Sequence, residues 1–315
     1  MPTLNVAQRE NDGSTSISQG RSTLDASTAK KIALACKMVA AVRVETPAFR
    51  ELKALVEARD IKQRNLPRQQ RSGILHLVEG AEFTGKSVAL DGLMGLPELQ
   101  LESGILELKC PAVCVETPLM ANGDVVVAKL LLALGKKLDF VPFISASPEQ
   151  NRHRLCQIAE RHDLRWVVIQ KMDRAAPKCE KKSITMAQLV EFLTSKARVN
   201  VIASGSTVGL RKIAGADRLQ LLANSRKSVN PIARSHHTEL EDLIRGFVAL
   251  LPYTLSEFKL DNETFTSWLH VNTGGVQGKI FRDLKRAAEI AIEHGHTNVH
   301  WQPHVAKAVA ERIGS

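Results

Sequence analysis

The stretch "ILHLVEGAEFTGKS", residues 74–87, constrains the fold of this 315-residue chain more than any other feature. A short apolar strand, Ile74 to Glu79, leads into the frame G-x-x-x-x-G-K-[ST], and a helix is expected from Lys86 onward. A glycine-rich loop between a strand and a helix turns backbone N–H groups inward, and the helix N-terminus adds its dipole, so the loop can hold a polyphosphate. The frame therefore predicts an α/β fold with a phosphate-binding loop.

All eight residues of this loop are candidate nucleotide ligands: Gly80, Ala81, Glu82, Phe83, Thr84, Gly85, Lys86 and Ser87. Lys86 would reach the β and γ phosphates of ATP, and Ser87 would offer its hydroxyl to Mg²⁺. Glu82 is unusual in such a loop and is expected to point away from the phosphates. A glycine turn with an incidental lysine would explain neither the serine nor the apolar strand before the loop.

Strands and helices alternate after the loop. The predicted strands cover 112–116, 164–169 and 199–203, and the predicted helices cover 125–134, 148–162 and 186–195. This alternation predicts a parallel sheet that helices cover on both faces.

Three regions are predicted along the chain. Residues 1–25 are polar and are expected to form a mobile arm. Residues 26–235 are expected to form the α/β core with two N-terminal helices, of which the second opens at Thr46 and Pro47. Residues 236–315 are expected to form a small all-helical domain. Its predicted helices cover 239–251, 255–268, 278–293 and 304–313.

The chain is basic, with a formal net charge of +10 and thirteen Lys and Arg against seven Asp and Glu in residues 1–75. This balance favours an anionic partner, nucleic acid first. Aromatic residues make up only 4% of the chain, which argues against base-stacking platforms for single strands and favours contact with duplex DNA phosphates. A solvated basic surface that only maintains solubility explains the composition as well.

The basic residues form two sets of candidate DNA contacts, which the sequence does not rank. The first set, which is most simply a solvated face, is Lys53, Arg59, Lys62, Arg64, Arg68 and Arg71, and the second is Lys136, Lys137, Arg211 and Lys212. The chain has no apolar run of the roughly 20 residues that a membrane span needs. It also lacks the apolar region of a signal peptide at its N-terminus, so no membrane contact and a cytoplasmic location are expected.

The segment "RWVVIQKMDR", residues 165–174, raises the question of catalysis. ATP hydrolysis needs a carboxylate that holds the water shell of the metal, and usually a second that polarises the attacking water. Here the apolar strand ends in Gln170 and Lys171 instead. Charged Lys171 cannot act as a base and repels Mg²⁺, and Asp173 could substitute only if the strand end bulges. Binding of ATP without efficient hydrolysis is therefore expected.

Two further candidates follow the strand at 199–203. Ser206 or Thr207, in "ASGSTVGLRK", would touch the γ-phosphate from the neighbouring strand end, or would form a plain turn with a helix cap. Arg226, in "LLANSRKSVNPI", lies where ring-forming ATPases present an arginine to the nucleotide of a neighbouring subunit, or it is a surface arginine near a loop.

Four histidines cluster in "EHGHTNVHWQPH" near the C-terminus: His294, His296, His300 and His304. Their spacing suggests a metal site, but no cysteine or carboxylate completes a tetrahedral set. A structural role at a helix end is the favoured interpretation.

In this order, the motifs resemble the TniB/TnsC group of AAA+ ATPases, which help DNA transposases choose and engage target DNA. The resemblance runs from about residue 28 to the C-terminus. It rests on "HLVEGAEFTGKS", "NVIASGSTVGLRKI", "LLANSRK", "EDLIRGFVALLPYTL" and "VNTGGVQGKIFRDLKRAAEIAIEHG". It implies an AAA+ P-loop NTPase core with a small C-terminal helical lid, and ATP and Mg²⁺ as ligands.

The resemblance also implies a homo-oligomer, a ring or filament around duplex DNA, that contacts a transposase and target-selection proteins. The chain departs from the family at Gln170 and Lys171, which replace the expected Asp and Glu. A protein of this kind can use ATP as an assembly ligand, because a nucleotide shared by two subunits stabilises the oligomer whether or not it is cleaved.

Two other functions remain open. A P-loop small-molecule kinase or metabolic NTPase would need an acceptor-binding motif, and none is recognisable. A nucleotide-independent adaptor would carry the loop as a vestige. One experiment with ATP and duplex DNA distinguishes the three functions. ATP-dependent DNA binding would support the transposition regulator, phosphorylation of a metabolite would support the kinase, and indifference to nucleotide would support the adaptor.

Overall fold

The computed structural model describes residues 26–41, 45–103, 108–178, 183–251, 257–259 and 262–314. The predicted arm, residues 1–25, lies outside the described residues. The helices in the described ranges are α1 (Ala26–Ala41), α2 (Pro47–Arg64), α3 (Lys86–Leu93), α4 (Gly123–Leu138), α5 (Pro148–Arg161), α6 (Met186–Ser195), α7 (Thr207–Leu210), α8 (Ala216–Leu222), α9 (His237–Ala249), α10 (Asn262–Thr273), α11 (Gln277–Glu293) and α12 (Lys307–Gly314). The strands are β1 (Leu75–Glu79), β2 (Glu102–Ser103), β3 (Leu108–Lys109), β4 (Ala112–Glu116), β5 (Trp166–Gln170), β6 (Asn200–Gly205), β7 (Ala223–Ser228), β8 (Glu257–Lys259) and β9 (Asn298–His300).

Five strands form one parallel sheet in the order β4-β5-β6-β1-β7. β1 lies inside the sheet, with Leu75 opposite Val201 of β6 on one side and Ala223 of β7 on the other. Because all five strands run in the same direction, their carboxyl ends meet at one edge, where ligands bind in open α/β sheets. The prediction of an α/β fold with a parallel sheet is confirmed.

Alternating residues of β1, β4, β5 and β6 pack into two hydrophobic clusters, one on each face of the sheet. In β5, Val167 and Ile169 join the cluster that contains α4 and α6, whereas Trp166 and Val168 join the cluster that contains α2 and α3. Successive side chains of a strand point to opposite faces, so helices on both sides bury every residue. This double cover explains why the strand is a continuous apolar run in the sequence.

β7 is a strand that the sequence pattern does not predict. Its residues, "ANSRKS", alternate between half-buried and exposed. β7 pairs only with β1 and forms one edge of the sheet, and an edge strand with a solvated face needs no apolar run. The structure therefore places Arg226 on an edge strand rather than beside a loop.

A buried ion network ties α2 to the amino ends of the strands, opposite the phosphate-binding loop. The Arg165 side chain, 2% exposed, donates to Asp60 Oδ1 at 2.7 Å and to Asp163 Oδ2 at 2.6 Å. Arg71 also pairs with Asp163. Burial alone raises the pKa of the Asp163 carboxyl, but Arg71 and Arg165 outweigh it and hold the pKa below its ordinary value.

The connector between α2 and β1 is basic for a structural reason. Arg59 donates to the carbonyl oxygen of Ser72 at 2.6 Å, and Arg68 donates to that of Ala197 at 2.7 Å. Arg64, 43% exposed, pairs with Asp60 inside α2. The interpretation of this series as a solvated face is therefore wrong for Arg59 and Arg68. Arg59 joins α2 to the connector, and Arg68 joins the connector to the end of α6.

The segment from residue 236 onward contains two short strands, so the prediction that it is all helical is wrong. β8 pairs with β9 in parallel, and β8 occupies part of the helix predicted over 255–268. Three-residue strands are too short to show a periodicity, and their pairing joins distant parts of the chain. The helices confirm the rest of the pattern, since α9 and α11 lie within two residues of the predicted ranges.

A third hydrophobic cluster joins the C-terminal helices to α1. Ala35 and Val39 of α1 pack in one cluster with Phe247 of α9 and Leu284 of α11. Helix α1 therefore contacts the C-terminal segment, and the division at residues 235 and 236 stays a prediction. In the part of the chain that the structure describes, no helix is both long enough and apolar enough to cross a membrane.

Candidate nucleotide-binding site

A cavity of about 420 Å³ lies at the carboxyl ends of β1, β5 and β6. Its lining consists of Glu82, Phe83, Gly85, Lys86, Ser87, Val88, Lys171, Asp173, Arg174, Ser204, Gly205, Ser206 and Gly278. The structure thus brings together most of the predicted loop, the residues after β5 and the serine after β6. Among the predicted residues, Gly80, Ala81, Thr84, Gln170, Thr207 and Arg226 do not line it.

The loop from residue 80 to residue 87 has the backbone of a phosphate cradle. Gly85, with φ of 97°, adopts the left-handed conformation at the N-cap of α3. A Cβ atom at Gly80 would lie 2.3 Å from the carbonyl oxygen of Val229, so only glycine fits there. Thr84 Oγ1 donates to the carbonyl oxygen of Ala81 at 2.9 Å and closes the loop. These features fit a polyphosphate group, since they turn the loop backbone toward the helix N-terminus.

Lys86 is the cation that this loop directs into the cavity. Its Nζ donates to the carbonyl oxygens of Gly80, at 2.7 Å, and Ala81. Burial lowers the pKa of Lys86, although the carboxylates of Asp173 and Glu82 act in the opposite direction. Glu82 lines the cavity, in contrast to the expectation that it points away from the phosphates. A half-buried ammonium at a helix N-terminus is well suited to bind phosphate oxygens.

Gln170 faces away from the cavity. Its side chain, 8% exposed, donates through Nε2 to Asp91 Oδ1 at 2.9 Å and to Cys114 Sγ at 3.4 Å. The donor atom of the amide is therefore directed toward α3 and β4. Gln170, predicted at the position of a metal-holding carboxylate, does not line the cavity.

Lys171 places a positive charge at the cavity where a catalytic carboxylate is expected. Its backbone is left-handed, with φ of 53°. Its Nζ lies 3.0 Å from Glu116 Oε1, and the same oxygen accepts from Arg174 at 2.6 Å. Lys171 and Arg174 both line the cavity, so two cations flank its end after β5.

Asp173 reaches the cavity without a bulge in β5, contrary to the expected requirement. The left-handed residue Lys171 and a short 3-10 turn, Met172–Arg174, turn the chain back, while β5 keeps regular pairing on both sides. Asp173 Oδ2 then accepts from the backbone N–H of Ser206 at 3.0 Å and from its hydroxyl at 2.7 Å. The carboxylate is thereby fixed to the end of β6.

Ser206 forms the predicted helix cap and also lies at the cavity, while its contact with the γ-phosphate stays a prediction. It lines the cavity, and its Oγ also accepts from the backbone N–H of Gly209 at 3.1 Å as the N-cap of α7. Thr207 is the first residue of α7 and stays outside the lining. Of the two candidates, Ser206 is the one that lies beside the phosphate-binding loop.

The N-terminus of α11 contacts the phosphate-binding loop, which sequence reasoning missed. The backbone N–H of Gly278 donates to the carbonyl oxygen of Phe83 at 2.7 Å. Gln277 Oε1 is buried and has no hydrogen-bond partner among the described residues, and a Cβ atom at Gly85 would lie 3.1 Å from it. The available signal was the glycine-rich run "TGGVQG", residues 273–278, before a long amphipathic helix.

We expect Gly278→Ala to weaken ATP binding by separating α11 from the loop. The new Cβ atom would lie 2.4 Å from the carbonyl oxygen of Phe83, a backbone atom that cannot move alone. Overpacking of this kind costs about 1–3 kcal/mol, equivalent to roughly five- to hundredfold in affinity. Titration calorimetry with ATP measures the effect. Gly314→Ala in α12 is the matched control, because no atom lies within 4 Å of its added Cβ. Equal affinity of both variants would show that α11 does not support the loop.

The donor groups do not fit a Mg²⁺ site of the usual kind. Ser87, the predicted ligand, lines the cavity. However, Mg²⁺ is normally held through one or two carboxylates together with the substrate phosphates. Glu82 and Asp173 line the cavity, but Oδ2 of Asp173 is engaged by Ser206, and Lys171 and Arg174 add positive charge to the same cavity. Among the described residues, no cluster of three or more His, Cys, Asp or Glu side chains is arranged to hold a metal ion.

The C-terminal histidines form hydrogen bonds with one another. His304, 1% exposed, accepts through Nδ1 from the backbone N–H of His300, and its Nε2 lies 2.8 Å from Nδ1 of His296. Burial first, and then the neighbouring histidines, lower the pKa of His304 to about 4. The cluster thus fastens β9 to the turn before α12.

Arg226 is separate from the cavity of its own chain. Its side chain is exposed on β7, and its NH2 donates to the carbonyl oxygen of Gln220 at 2.6 Å. A contact with the nucleotide of a second subunit remains a prediction.

Solved structures of other proteins resemble this chain in fold, although its sequence matches no family model. No protein-family model and no curated protein sequence matches the chain. Drosophila ORC bound to DNA is 16% identical, with a TM-score of 0.53, over 100% of this chain and 71% of that chain. Cdc6p from Pyrobaculum aerophilum is 14% identical, with a TM-score of 0.59, over 88% of this chain and 70% of that chain. The ORC1 protein of Aeropyrum pernix in complex with DNA is 17% identical, with a TM-score of 0.58, over 88% of this chain and 69% of that chain. The chain therefore has an α/β fold similar to the folds of these ORC and Cdc6 proteins.

Proposed function

We propose that this protein is an ATP-binding AAA+ regulator of DNA transposition. In this proposal it oligomerises on duplex DNA, links target selection to the transposase, and hydrolyses ATP weakly or not at all. The observation that carries the proposal is one cavity with two properties. Five residues of the predicted phosphate-binding loop line it, and so does Lys171, a cation where the resemblance implies a catalytic carboxylate.

ATP binding is supported by the loop and by its contact with α11. The backbone of residues 80–87 would surround the phosphates, and Lys86 would neutralise them. Ser206 would contact the terminal phosphate from the end of β6, where it lines the cavity. Gly278 would transmit nucleotide binding to the C-terminal helices, because it is hydrogen-bonded to Phe83 of the loop.

Weak hydrolysis is supported by the surroundings of three side chains. Gln170 is directed toward Asp91, and Lys171 is paired with Glu116. Oδ2 of Asp173 accepts two hydrogen bonds from Ser206. A general base must be within hydrogen-bond reach of the water and able to accept its proton. Gln170 and charged Lys171 do not accept a proton from water, and Oδ2 of Asp173 is engaged by Ser206.

DNA binding is supported by charge and by the fold. Two solved structures of similar fold, Drosophila ORC and Aeropyrum pernix ORC1, are complexes with DNA. The chain carries a net charge of +10. Three basic side chains of the second candidate set are exposed, namely Lys136, Arg211 and Lys212, whereas Lys137 donates to the carbonyl oxygen of Ala112. Three parts of the proposal rest on the TniB/TnsC resemblance: the contact with a transposase, the contact with target-selection proteins, and the assembly into a ring or filament. In such an assembly, Arg226 would contact the nucleotide of a neighbouring subunit.

The test measures the binding of a fluorescent DNA duplex to the protein, with and without ATP, by fluorescence anisotropy. We expect binding only with ATP, and an affinity that falls at least about tenfold between 50 and 200 mM salt, because the contacts are to phosphates. Lys86→Ala serves as the nucleotide-free control. Binding that is equally tight without ATP would contradict the proposal and would favour a nucleotide-independent adaptor. Phosphoryl transfer to a small molecule would favour a kinase.

A further inference from the structure

We infer that the site binds a nucleoside triphosphate without a divalent metal, with Lys171 and Arg174 supplying the positive charge. This inference rests on the proposed function, because it specifies the form in which the same site binds ATP. It departs from the expectation that Ser87 and Mg²⁺ act together. Its basis is the set of charges around one cavity.

Three cations line the cavity from two sides. Lys86 comes from the loop after β1, and Lys171 and Arg174 come from the turn after β5. The left-handed backbone of Lys171 produces this arrangement, since it turns the chain back toward the loop. A triphosphate is a polyanion, and charge-assisted hydrogen bonds from several cations favour its binding.

Phosphate oxygens can replace Glu116 as the partner of Lys171 and Arg174. Glu116 accepts from both Lys171 and Arg174, and the three side chains are between 39% and 48% exposed. Exposed ion pairs contribute roughly 0–1 kcal/mol, because water screens them. Phosphate oxygens inside the cavity carry more charge in a less hydrated place, so they can compete with Glu116 for these cations.

Two carboxylates, those of Glu82 and Asp173, line the cavity together with the three cations. Oδ2 of Asp173 already accepts two hydrogen bonds from Ser206, which fix its orientation. Gln170 carries no charge and donates to Asp91. The like charges of Lys171 and Arg174 oppose a divalent cation in the same cavity. We therefore expect Lys86, Lys171 and Arg174, rather than a metal ion, to neutralise the phosphates.

Titration calorimetry of the full chain with ATP tests the inference, once with excess Mg²⁺ and once with EDTA. We expect the two dissociation constants to agree within about threefold. Lys171→Gln should weaken binding in EDTA by about five- to tenfold, because one charged contact is lost. The matched control is Lys129→Gln on α4, which removes an exposed lysine outside the cavity lining.

A second variant reverses the charge of the site. Gln170→Asp combined with Lys171→Glu should make binding depend on Mg²⁺, with at least about tenfold weaker affinity in EDTA. Thermal unfolding of each variant checks that it is folded.

The outcomes separate this inference from the proposed function. Tight binding with Mg²⁺ and none with EDTA would overturn metal-free binding and leave ATP binding intact. Metal-free binding that Lys171→Gln does not weaken would overturn the role of Lys171. Absence of ATP binding under both conditions would overturn the proposed function, and this inference with it.

Discussion

Lys86→Ala is expected to weaken ATP binding by about ten- to hundredfold, since each charge-assisted contact with phosphate is worth roughly 1.5–3 kcal/mol. Lys86 is the one side-chain cation that the loop itself directs into the cavity, where burial has already removed part of its hydration. Titration calorimetry measures the affinity of the variant and of the wild type. An unchanged dissociation constant would remove the interpretation of residues 80–87 as a phosphate-binding loop.

A control variant distinguishes a local loss from a general change in charge. Lys129→Ala removes an exposed lysine from α4, outside the cavity. It is expected to bind ATP as the wild type does. A similar loss in both variants would indicate that net charge, and not the loop, determines the affinity.

Asp60→Ala is expected to lower the free energy of unfolding by about 3 kcal/mol, because it leaves the buried guanidinium of Arg165 without its closest partner on α2. Asp60 is 1% exposed and Arg165 is 2% exposed. Removing one partner of a buried pair costs more than the pair contributes, since the remaining charge stays dehydrated. Denaturant unfolding monitored by circular dichroism gives the midpoint and the slope.

The chain offers a matched exposed pair for comparison. Asp242 and Arg245 on α9 lie 3.0 Å apart, with side chains that are 72% and 73% exposed. Asp242→Ala is expected to change the free energy of unfolding by less than about 0.5 kcal/mol. If the two substitutions had equal effects, the network at the amino ends of the strands would not be what holds α2.

The sequence predicts those parts of the fold and site that local signals encode. The loop from residue 80 to residue 87 is defined by neighbouring residues, and its strand and helix follow directly. β5 is predictable because both of its faces are buried, which leaves an apolar run at residues 166–169. Thr46 and Pro47 start α2 through a side-chain cap, with Oγ1 accepting from Phe49 at 3.1 Å. In each case the determining contacts lie within a few residues.

The remaining features depend on contacts between distant residues. β7 is a strand because β1 provides its hydrogen bonds, and its own residues show no strand pattern. The approach of Gly278 to Phe83 joins segments almost 200 residues apart. Arg68 gives no indication in the sequence that it fastens the connector to Ala197. Composition identifies such residues as basic and solvated, and only the fold shows their partners.

The position of Asp173 could not be predicted for a different reason. It depends on a left-handed backbone at Lys171, a conformation that residues with a side chain adopt rarely. The sequence allows a regular strand end or a turn at this point, and the two place the carboxylate in different surroundings. Its hydrogen bonds with Ser206 show which alternative the chain adopts.

The most direct test of the central claim, that this protein holds ATP without turning it over, is phosphate release by the wild type. The rate is measured with saturating ATP, with Mg²⁺ and duplex DNA present, and Lys86→Ala gives the background. We predict a wild-type rate close to that background, because Gln170 and Lys171 stand where hydrolysis requires carboxylates. A rate of about 1 per second or more, as in ordinary enzymes, would contradict the account and would identify Asp173 or another carboxylate as the base.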